Sequence, residues 1–328
     1  MEPLVRFSEN FKLAGDTLLN ACPVCDSTEI GELWRLPQNR LSHVTHLNAP
    51  GSPLHGLYLD YLPTLKSPQE IFKFDICSHC ESIFLNPKFD DQAHYAHDTS
   101  KVESFRKKGP GEQRGAADSF MRMFPDDTTV VVDAACGAGQ LLHLIKIDRP
   151  DIRAVGLELS KPSVAFMNGE LGIEAHLTDL DRDDLDSVVA PGSVDFIVLQ
   201  EAFEHVRAPL VVMRKLVRML RPGGRMHFTA QHYGDNELQI RVGEPIYIND
   251  AGLDFVIKAL GVELISLKKD IKVRATVEKP GGPPPRAAGS GRGEARSPAT
   301  PAKPRRARWH RRLWSSIRRR LIVRRPTR

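Results

Sequence analysis

Between residues 126 and 278, short apolar runs alternate with stretches whose apolar positions recur every three or four residues, the pattern of buried parallel strands separated by covering helices. Thr129-Val130-Val131-Val132, Ala154 to Leu157, Glu174 to Leu177, Val194 to Leu199 and Arg225 to Thr229 read as five strands. Leu141 to Ile147, Ser163 to Glu170 and Pro209 to Leu220 read as the helices between them, the last stopped by Pro222-Gly223-Gly224. Asn249 or Asp250 can cap a further helix that ends at Gly261, and Val262 to Leu267 with Ile271 to Val277 form a closing antiparallel pair across Lys268-Lys269-Asp270. The expected fold class is α/β: a doubly wound, mostly parallel, seven-stranded sheet.

The flanks break this rhythm. Residues 1–95 hold four of the five cysteines, many turn residues and short strand-like runs such as Ile71-Phe72-Lys73-Phe74, and form a separate small module. Residues 96–125 are a polar linker with a short helix from Gly115 to Phe124 that serves as a lid. Residues 126–278 are the α/β core, and residues 279–328 open on Pro280-Gly281-Gly282-Pro283-Pro284-Pro285, too poor in apolar side chains to order themselves.

Charge sharpens the division. The net charge of +5 conceals a tail with 16 Lys or Arg against one acid, Glu294, which leaves 30 basic and 40 acidic residues before it. An acidic core argues against a nucleic-acid substrate, because phosphate binding draws on clustered cations. The first twenty residues carry no apolar leader, and no run nears the roughly 18–20 apolar residues a membrane helix needs, so the expectation is a cytoplasmic protein. Within the tail, Trp309, Leu313, Trp314, Ile317 and Leu321 share one helical face, with arginines on the rest. Such a helix suits an anionic membrane surface, making the protein peripheral there, and equally RNA or an acidic partner; no specific role is the alternative.

The first strand runs into Asp133-Ala134-Ala135-Cys136-Gly137-Ala138-Gly139, a small-residue turn where open α/β sheets bind ligands. Gly137 and Gly139 let backbone approach a ligand that a Cβ would hold off. A nicotinamide dinucleotide would call for a third glycine where Leu142 stands. Glu158, at the end of the second strand, can accept hydrogen bonds from both hydroxyls of a ribose, which suits any adenosine-bearing ligand.

These residues resemble the class I S-adenosylmethionine-dependent methyltransferases. The resemblance rests on Val-Val-Asp133-Ala-Ala-Cys-Gly137-Ala-Gly139, Val-Gly-Leu-Glu158-Leu-Ser160, Thr178-Asp179-Leu180, Val-Asp195-Phe-Ile-Val-Leu-Gln200-Glu201-Ala-Phe-Glu204-His205 and Leu220-Arg-Pro222-Gly223-Gly224, five blocks in order. It implies S-adenosylmethionine as cofactor, with Asp133, Ala135, Gly137 and Gly139 around its methionine part, Glu158 and Leu159 at the ribose, Asp179 and Leu180 at the adenine, and Gln200 and Glu201 near the sulfonium. Ala135 stands where the family has its first glycine, which is tolerable if its φ stays negative. Methyl transfer needs an aligned nucleophile and, where a proton must leave, a base. His205 and His232, after the fourth and fifth strands, lie on the correct rim for that role; capping or solvation of the loop is the alternative.

Cys22-Pro-Val-Cys25 and Cys77-Ser-His-Cys80 are two knuckles suited to a tetrahedral structural zinc. Two disulfides are disfavoured without a signal peptide, and a rubredoxin-type iron is a further alternative. The knuckles followed by Glu81-Ser-Ile-Phe-Leu-Asn86-Pro87 and Tyr95 resemble a subset of these methyltransferases with a zinc-ribbon front, which act on small molecules including nucleotide-linked sugars and cell-surface saccharides; there the front covers the substrate side. The sugar C-methyltransferases of this kind carry a further large domain, for which this chain has no room. The expected function is methylation of a small-molecule acceptor, such as a saccharide or its nucleotide- or lipid-linked precursor. An RNA methyltransferase gripping nucleic acid with knuckles and tail, and a non-catalytic adaptor, are the alternatives. Gln200-Glu201-Ala202-Phe203, in place of an Asn-Pro-Pro-Tyr-like loop, and the acidic core favour the small molecule.

Overall fold

A computed structural model of the chain describes residues 19–37, 71–86, 95–233, 244–270 and 272–281. The expected tail helix between Trp309 and Leu321 lies outside them. Among the described residues no helix is long and apolar enough to cross a membrane.

The core begins with β4 (Val130–Ala134), β5 (Arg153–Glu158) and β6 (Glu174–Leu177), and continues with β7 (Val194–Leu199) and β8 (Leu220–His232). It closes with β10 (Glu263–Lys269) and β11 (Lys272–Glu278). They pair in the order β6-β5-β4-β7-β8-β11-β10, with β11 alone antiparallel to its neighbours. This is the seven-stranded, mostly parallel sheet expected from the alternating pattern. β4 pairs with β5 on one side and with β7 on the other, so the strand order reverses between β4 and β7. In such sheets the crevice opens at the carboxyl ends beside that reversal.

Continuous apolar runs are what a strand covered on both faces requires. Val131, Val132, Val155, Leu157, Ile197, Val198 and Leu199 are all fully buried. The helices between strands are α3 (Gln140–Asp148), α4 (Lys161–Phe166), α5 (Pro209–Met219) and α6 (Asp250–Leu260). α6 is capped as its sequence predicts: Asn249 Oδ1 accepts the Gly252 N–H at 2.9 Å, and Gly261 closes it in the left-handed region. α4 starts earlier than the periodicity suggests, because Ser160 Oγ accepts the Ser163 N–H and fixes Lys161 as the first helical residue. It also stops earlier, widening into a π turn over Met167–Leu171. The segment before β4 contains two helices, α1 (Ser100–Lys108) and α2 (Arg114–Met121), where one from Gly115 to Phe124 was expected. α1 buries only Val102 and Phe105, too thin a stripe to stand out from its charges.

The cysteine segment adds β1 (Ile30–Pro37), β2 (Ile71–Cys77) and β3 (Ile83–Leu85), paired antiparallel in that order. β3 then pairs antiparallel with β9 (Ile246–Ile248), and β9 lies parallel to the last residues of β8, Gln231 and His232. The long β8 therefore changes partner along one edge: β7 pairs with it as far as Phe228 and β9 takes over at Gln231 and His232, while Arg225 to Gln231 face β11 along the other edge. The cysteine strands are thus hydrogen-bonded to the rim of the core sheet at the carboxyl end of its fifth strand.

Candidate active site

The turn after β4 is built by three positive-φ residues, Ala135 (61°), Gly137 (58°) and Gly139 (76°). The negative φ expected at Ala135 is not observed. Its N–H donates to Leu157 O on β5 at 2.8 Å, a bond that pulls the turn across the neighbouring strand and leaves the alanine in the left-handed region. Such a residue costs about 1–2 kcal/mol relative to a glycine's freedom there.

The inner side of the turn is packed tight. A Cβ on Gly139 would lie 2.6 Å from Met167 Sδ, and one on Gly156 would lie 2.8 Å from Cys136 Sγ. On the outer side, a Cβ on Gly137 would meet only the aliphatic part of Lys101, at 3.8 Å. Glu158 reaches into this space. Its Oε2 accepts the Gly137 N–H at 2.7 Å and its Oε1 the Ser160 N–H at 2.8 Å. Burial raises its carboxyl above the ordinary range, against the backbone donors of Ser160, Gly137 and Leu159 that hold it down. Asp133, fully buried at the end of β4, is pushed up to about 8 by burial and then by the charge of Glu158, so it carries its proton near neutrality. α3 follows Gly139, which offers it no side-chain cap and so leaves its first amides directed at the turn.

Thr178 N donates to Glu158 O at 2.8 Å, which sets the tips of β5 and β6 side by side. Asp179 therefore follows next to Glu158, its Oδ1 capping the turn through Asp181 N at 3.0 Å and Arg182 N at 3.3 Å, while Leu180 is buried. Gln200 and Glu201 follow β7. Glu201 is held in the left-handed region, its N–H donating to Thr229 Oγ1 at 2.8 Å and its carboxylate paired with Lys272 on β11. Asp133, Ala135, Gly137, Gly139, Glu158, Leu159, Asp179, Leu180, Gln200 and Glu201 thus lie along the carboxyl ends of four adjacent strands. A cradle lined by glycine backbone on one side and a doubly anchored carboxylate on the other fits the adenosine and methionine parts of S-adenosylmethionine.

The two histidines part company. His205 lies in the loop after β7, with its ring edge-on to Tyr95 at 5.7 Å between centroids and its Nε2 3.7 Å from Glu244 Oε2. Glu204 beside it is fully buried; its Oε1 accepts the Gln231 side-chain N–H at 2.9 Å, and its Oε2 has no hydrogen-bond partner. Burial, then the neighbouring Glu244, raises the Glu204 carboxyl to about 7. His232, by contrast, spends both ring nitrogens on anchoring, one on Asp270 O at 3.2 Å and the other on Asp250 Oδ1 at 3.3 Å. Nothing in the sequence marked Glu244, which precedes the three-residue β9 in a stretch without periodicity; Lys101 sat among the charges of α1.

Cys22, Cys25, Cys77 and Cys80 converge, their sulfurs all within 4.8 Å of one another, with Cys22 to Cys80 at 3.6 Å and Cys25 to Cys77 at 3.5 Å. Sulfurs about 2.3 Å from one tetrahedral zinc stand about 3.8 Å apart, so the set fits that ion. Both knuckles have the same backbone: Asp26 N bonds Cys22 O at 2.9 Å and Glu81 N bonds Cys77 O at 3.0 Å, each through a left-handed residue. The four crowded thiols titrate together: burial and their mutual hydrogen bonds push Cys22, Cys25 and Cys80 above their ordinary range while Cys77 is held below it. The second knuckle docks on the core: Tyr233 Oη donates to Glu81 O, Asn249 Nδ2 donates to Glu81 Oε2 at 2.8 Å, and His79 stacks edge-on against Phe255 of α6.

Residues 132–228 match the family model described as Methyltransferase domain. The chain is 28% identical over 103 residues to a ubiquinone biosynthesis O-methyltransferase of Ralstonia nicotianae, covering 31% of this chain and 43% of that protein. It is 29% identical over 97 residues to the enzyme of the same name from Xanthomonas euvesicatoria, covering 29% and 40%. The chain thus spans less than half the length of these curated relatives. Among solved structures, an O-methyltransferase family protein from Burkholderia thailandensis superposes with a TM-score of 0.46 at 14% identity, covering 60% of this chain and 64% of that one.

Proposed function

We propose that this chain, whose residues 132–228 are a methyltransferase domain of the class I type, transfers a methyl group from S-adenosylmethionine to an oxygen of a small-molecule acceptor. The observation that carries the reading is the pairing of Glu158 with the Gly137 turn: a buried carboxylate whose two oxygens hold two backbone amides where a ribose diol would meet it. Asp133, Ala135, Gly137 and Gly139 hold the methionine part, Glu158 and Leu159 the ribose, Asp179 and Leu180 the adenine, and Gln200 and Glu201 the neighbourhood of the sulfonium. The cofactor supplies a methyl that its sulfonium already activates. The protein therefore has to align an acceptor, exclude water and take a proton.

The proton falls to the polar group after β7, where Glu204, His205 and Glu244 meet, and His232 serves to anchor the end of β8. The named relatives are O-methyltransferases, which supports an oxygen acceptor. A saccharide, or its nucleotide- or lipid-linked precursor, is the acceptor class we favour. The four-cysteine cluster holds a structural zinc that fixes the second knuckle against α6 and β9, and the tail is assigned to an anionic surface or acidic partner.

Calorimetry with S-adenosylmethionine and transfer of its labelled methyl to a panel of saccharides, nucleotide sugars and phenols test this together. Micromolar binding and labelling of one acceptor class are expected. Absence of binding in zinc-replete protein would sink the assignment.

A further inference from the structure

We propose that Glu204, His205 and Glu244 form a second metal site, one that takes a divalent cation such as Mn2+ and presents it to the acceptor. This deepens the methyltransferase reading and rests on it. Three separate pieces of chain supply the site: the loop after β7 brings Glu204 and His205, the end of β8 brings Gln231, and the residue two before β9 brings Glu244. Each of the three candidate ligands offers one donor atom, and these atoms lie within 4.8 Å of one another. A cation about 2.1 Å from each ligand holds them roughly 3–4.2 Å apart, and the 3.7 Å between His205 Nε2 and Glu244 Oε2 falls in that interval.

Glu204 points to an occupant independently. Its side chain is completely buried, Gln231 Nε2 occupies Oε1 at 2.9 Å, and Oε2 is buried without a hydrogen-bond partner. A buried acceptor left unmet costs about 1–3 kcal/mol, and more for a charged one. Here it lies beside a second buried carboxylate, Glu244. Buried carboxylates side by side are ordinarily neutralised by a paired cation or a metal. The arrangement around Oε1 is also that of a metal ligand: the Gln231 amide orients the carboxylate from behind, as outer-shell donors do for ligating groups. On the far side the Tyr95 ring, edge-on to His205, limits the imidazole's rotation.

Two carboxylate oxygens and one imidazole nitrogen form a mixed hard and borderline set, unlike the four thiolates of the knuckles, so the two sites select different ions. Three protein ligands leave coordination positions open for the acceptor. Two oxygens on neighbouring carbons, as in a saccharide diol, would occupy them best. The cation would lower the pKa of the hydroxyl it binds, so that the weakly basic second oxygen of Glu244, the one not on the cation, can take the proton at neutral pH.

The test uses the full-length, zinc-replete protein and Mn2+ alone, followed by the electron paramagnetic resonance of free Mn2+. One Mn2+ per chain is expected in the wild type. Glu204→Gln and Glu244→Gln should each weaken it by at least about 100-fold, beyond what loss of an outer-shell partner costs. Calorimetry with S-adenosylhomocysteine on the same variants should show wild-type affinity, so failure of the cation site is read separately from failure of the cofactor reading. If Glu204→Gln does not fold, Glu244→Gln decides. No stoichiometric Mn2+ in the wild type, or Mn2+ binding that survives Glu244→Gln, would overturn the proposal and leave a proton-sharing carboxylate pair.

Discussion

Glu158→Ala should cost affinity and stability by separable amounts. The carboxylate accepts the Gly137 N–H at 2.7 Å and the Ser160 N–H at 2.8 Å in a buried setting. Hydrogen bonds to a charged group contribute about 1.5–3 kcal/mol each. Against this, removing Glu158 relieves Asp133 of the neighbouring charge that helps raise its carboxyl to about 8. A net loss of about 1–3 kcal/mol of folding free energy follows, read as a lower urea midpoint at unchanged slope. The affinity loss is larger, because a ribose diol gives two hydrogen bonds to the same carboxylate. Two such bonds at about 1.5–3 kcal/mol each correspond to at least about a 100-fold increase in Kd by calorimetry. Glu158→Gln should fall between, since its amide nitrogen must face one of two backbone donors. Binding within threefold of wild type, with the stability loss present, would refute the ribose assignment and leave Glu158 as a clasp for the Gly137 turn.

Two further outcomes follow from single residues. Ala135→Gly should stabilise the fold by about 0.5–1 kcal/mol, because relief of left-handed strain of about 1–2 kcal/mol exceeds the extra chain entropy of a glycine; a lower urea midpoint would contradict the strain at this turn. His227, buried against Phe120 and Thr276, is pushed down to about 4 first by burial and then by Arg274. Below its unfolded pKa of 6.5 the unfolded chain takes up a proton that the folded one refuses, so its contribution falls by about 2 kcal/mol between pH 7 and pH 5. Asp133, raised in the fold, acts in the opposite sense over this range. The test is therefore the difference between wild type and His227→Gln: equal pH slopes from urea melts would rule the histidine out.

The strands of the core were legible because a strand buried on both faces must be apolar throughout, and runs such as Val130-Val131-Val132 and Val194 to Leu199 leave no other use for such residues. The caps of α6 were legible for an equally local reason, the Asn249 side chain and the Gly261 backbone. What escaped were elements whose cause is remote. β3 and β9 are three residues each, too short to show a period, and exist because Leu85 N finds Pro245 O at 2.8 Å across 160 residues of sequence. The φ of Ala135 escaped too, since it is set by Leu157 O on the neighbouring strand rather than by anything in the turn. Among the proposed site residues, the placement of Glu158 and the glycines at the strand tips was readable from the local strand-turn-helix pattern. Glu244 was not, because only the fold brings it to His205.

That remote pairing bears on why a cysteine cluster sits on this core at all. The second knuckle ends at Cys80, and the next residue, Glu81, receives Tyr233 Oη at its carbonyl and Asn249 Nδ2 at its carboxylate. A Cβ on Gly252, in the first turn of α6, would approach Cys80 O to 3.1 Å, so helix and knuckle touch through backbone. Three residues further, β3 takes up β9, and Glu244 stands two residues before β9 begins. A tetrahedral ion that locks Cys77 and Cys80 would therefore fix, through a few residues of covalent chain and one short strand pair, the carboxylate that faces His205. The metal would do no chemistry, yet the position of a polar group on the acceptor side would depend on it. A module too small to bury a core of its own would gain rigidity from such an ion and lend it to the rim beside β9.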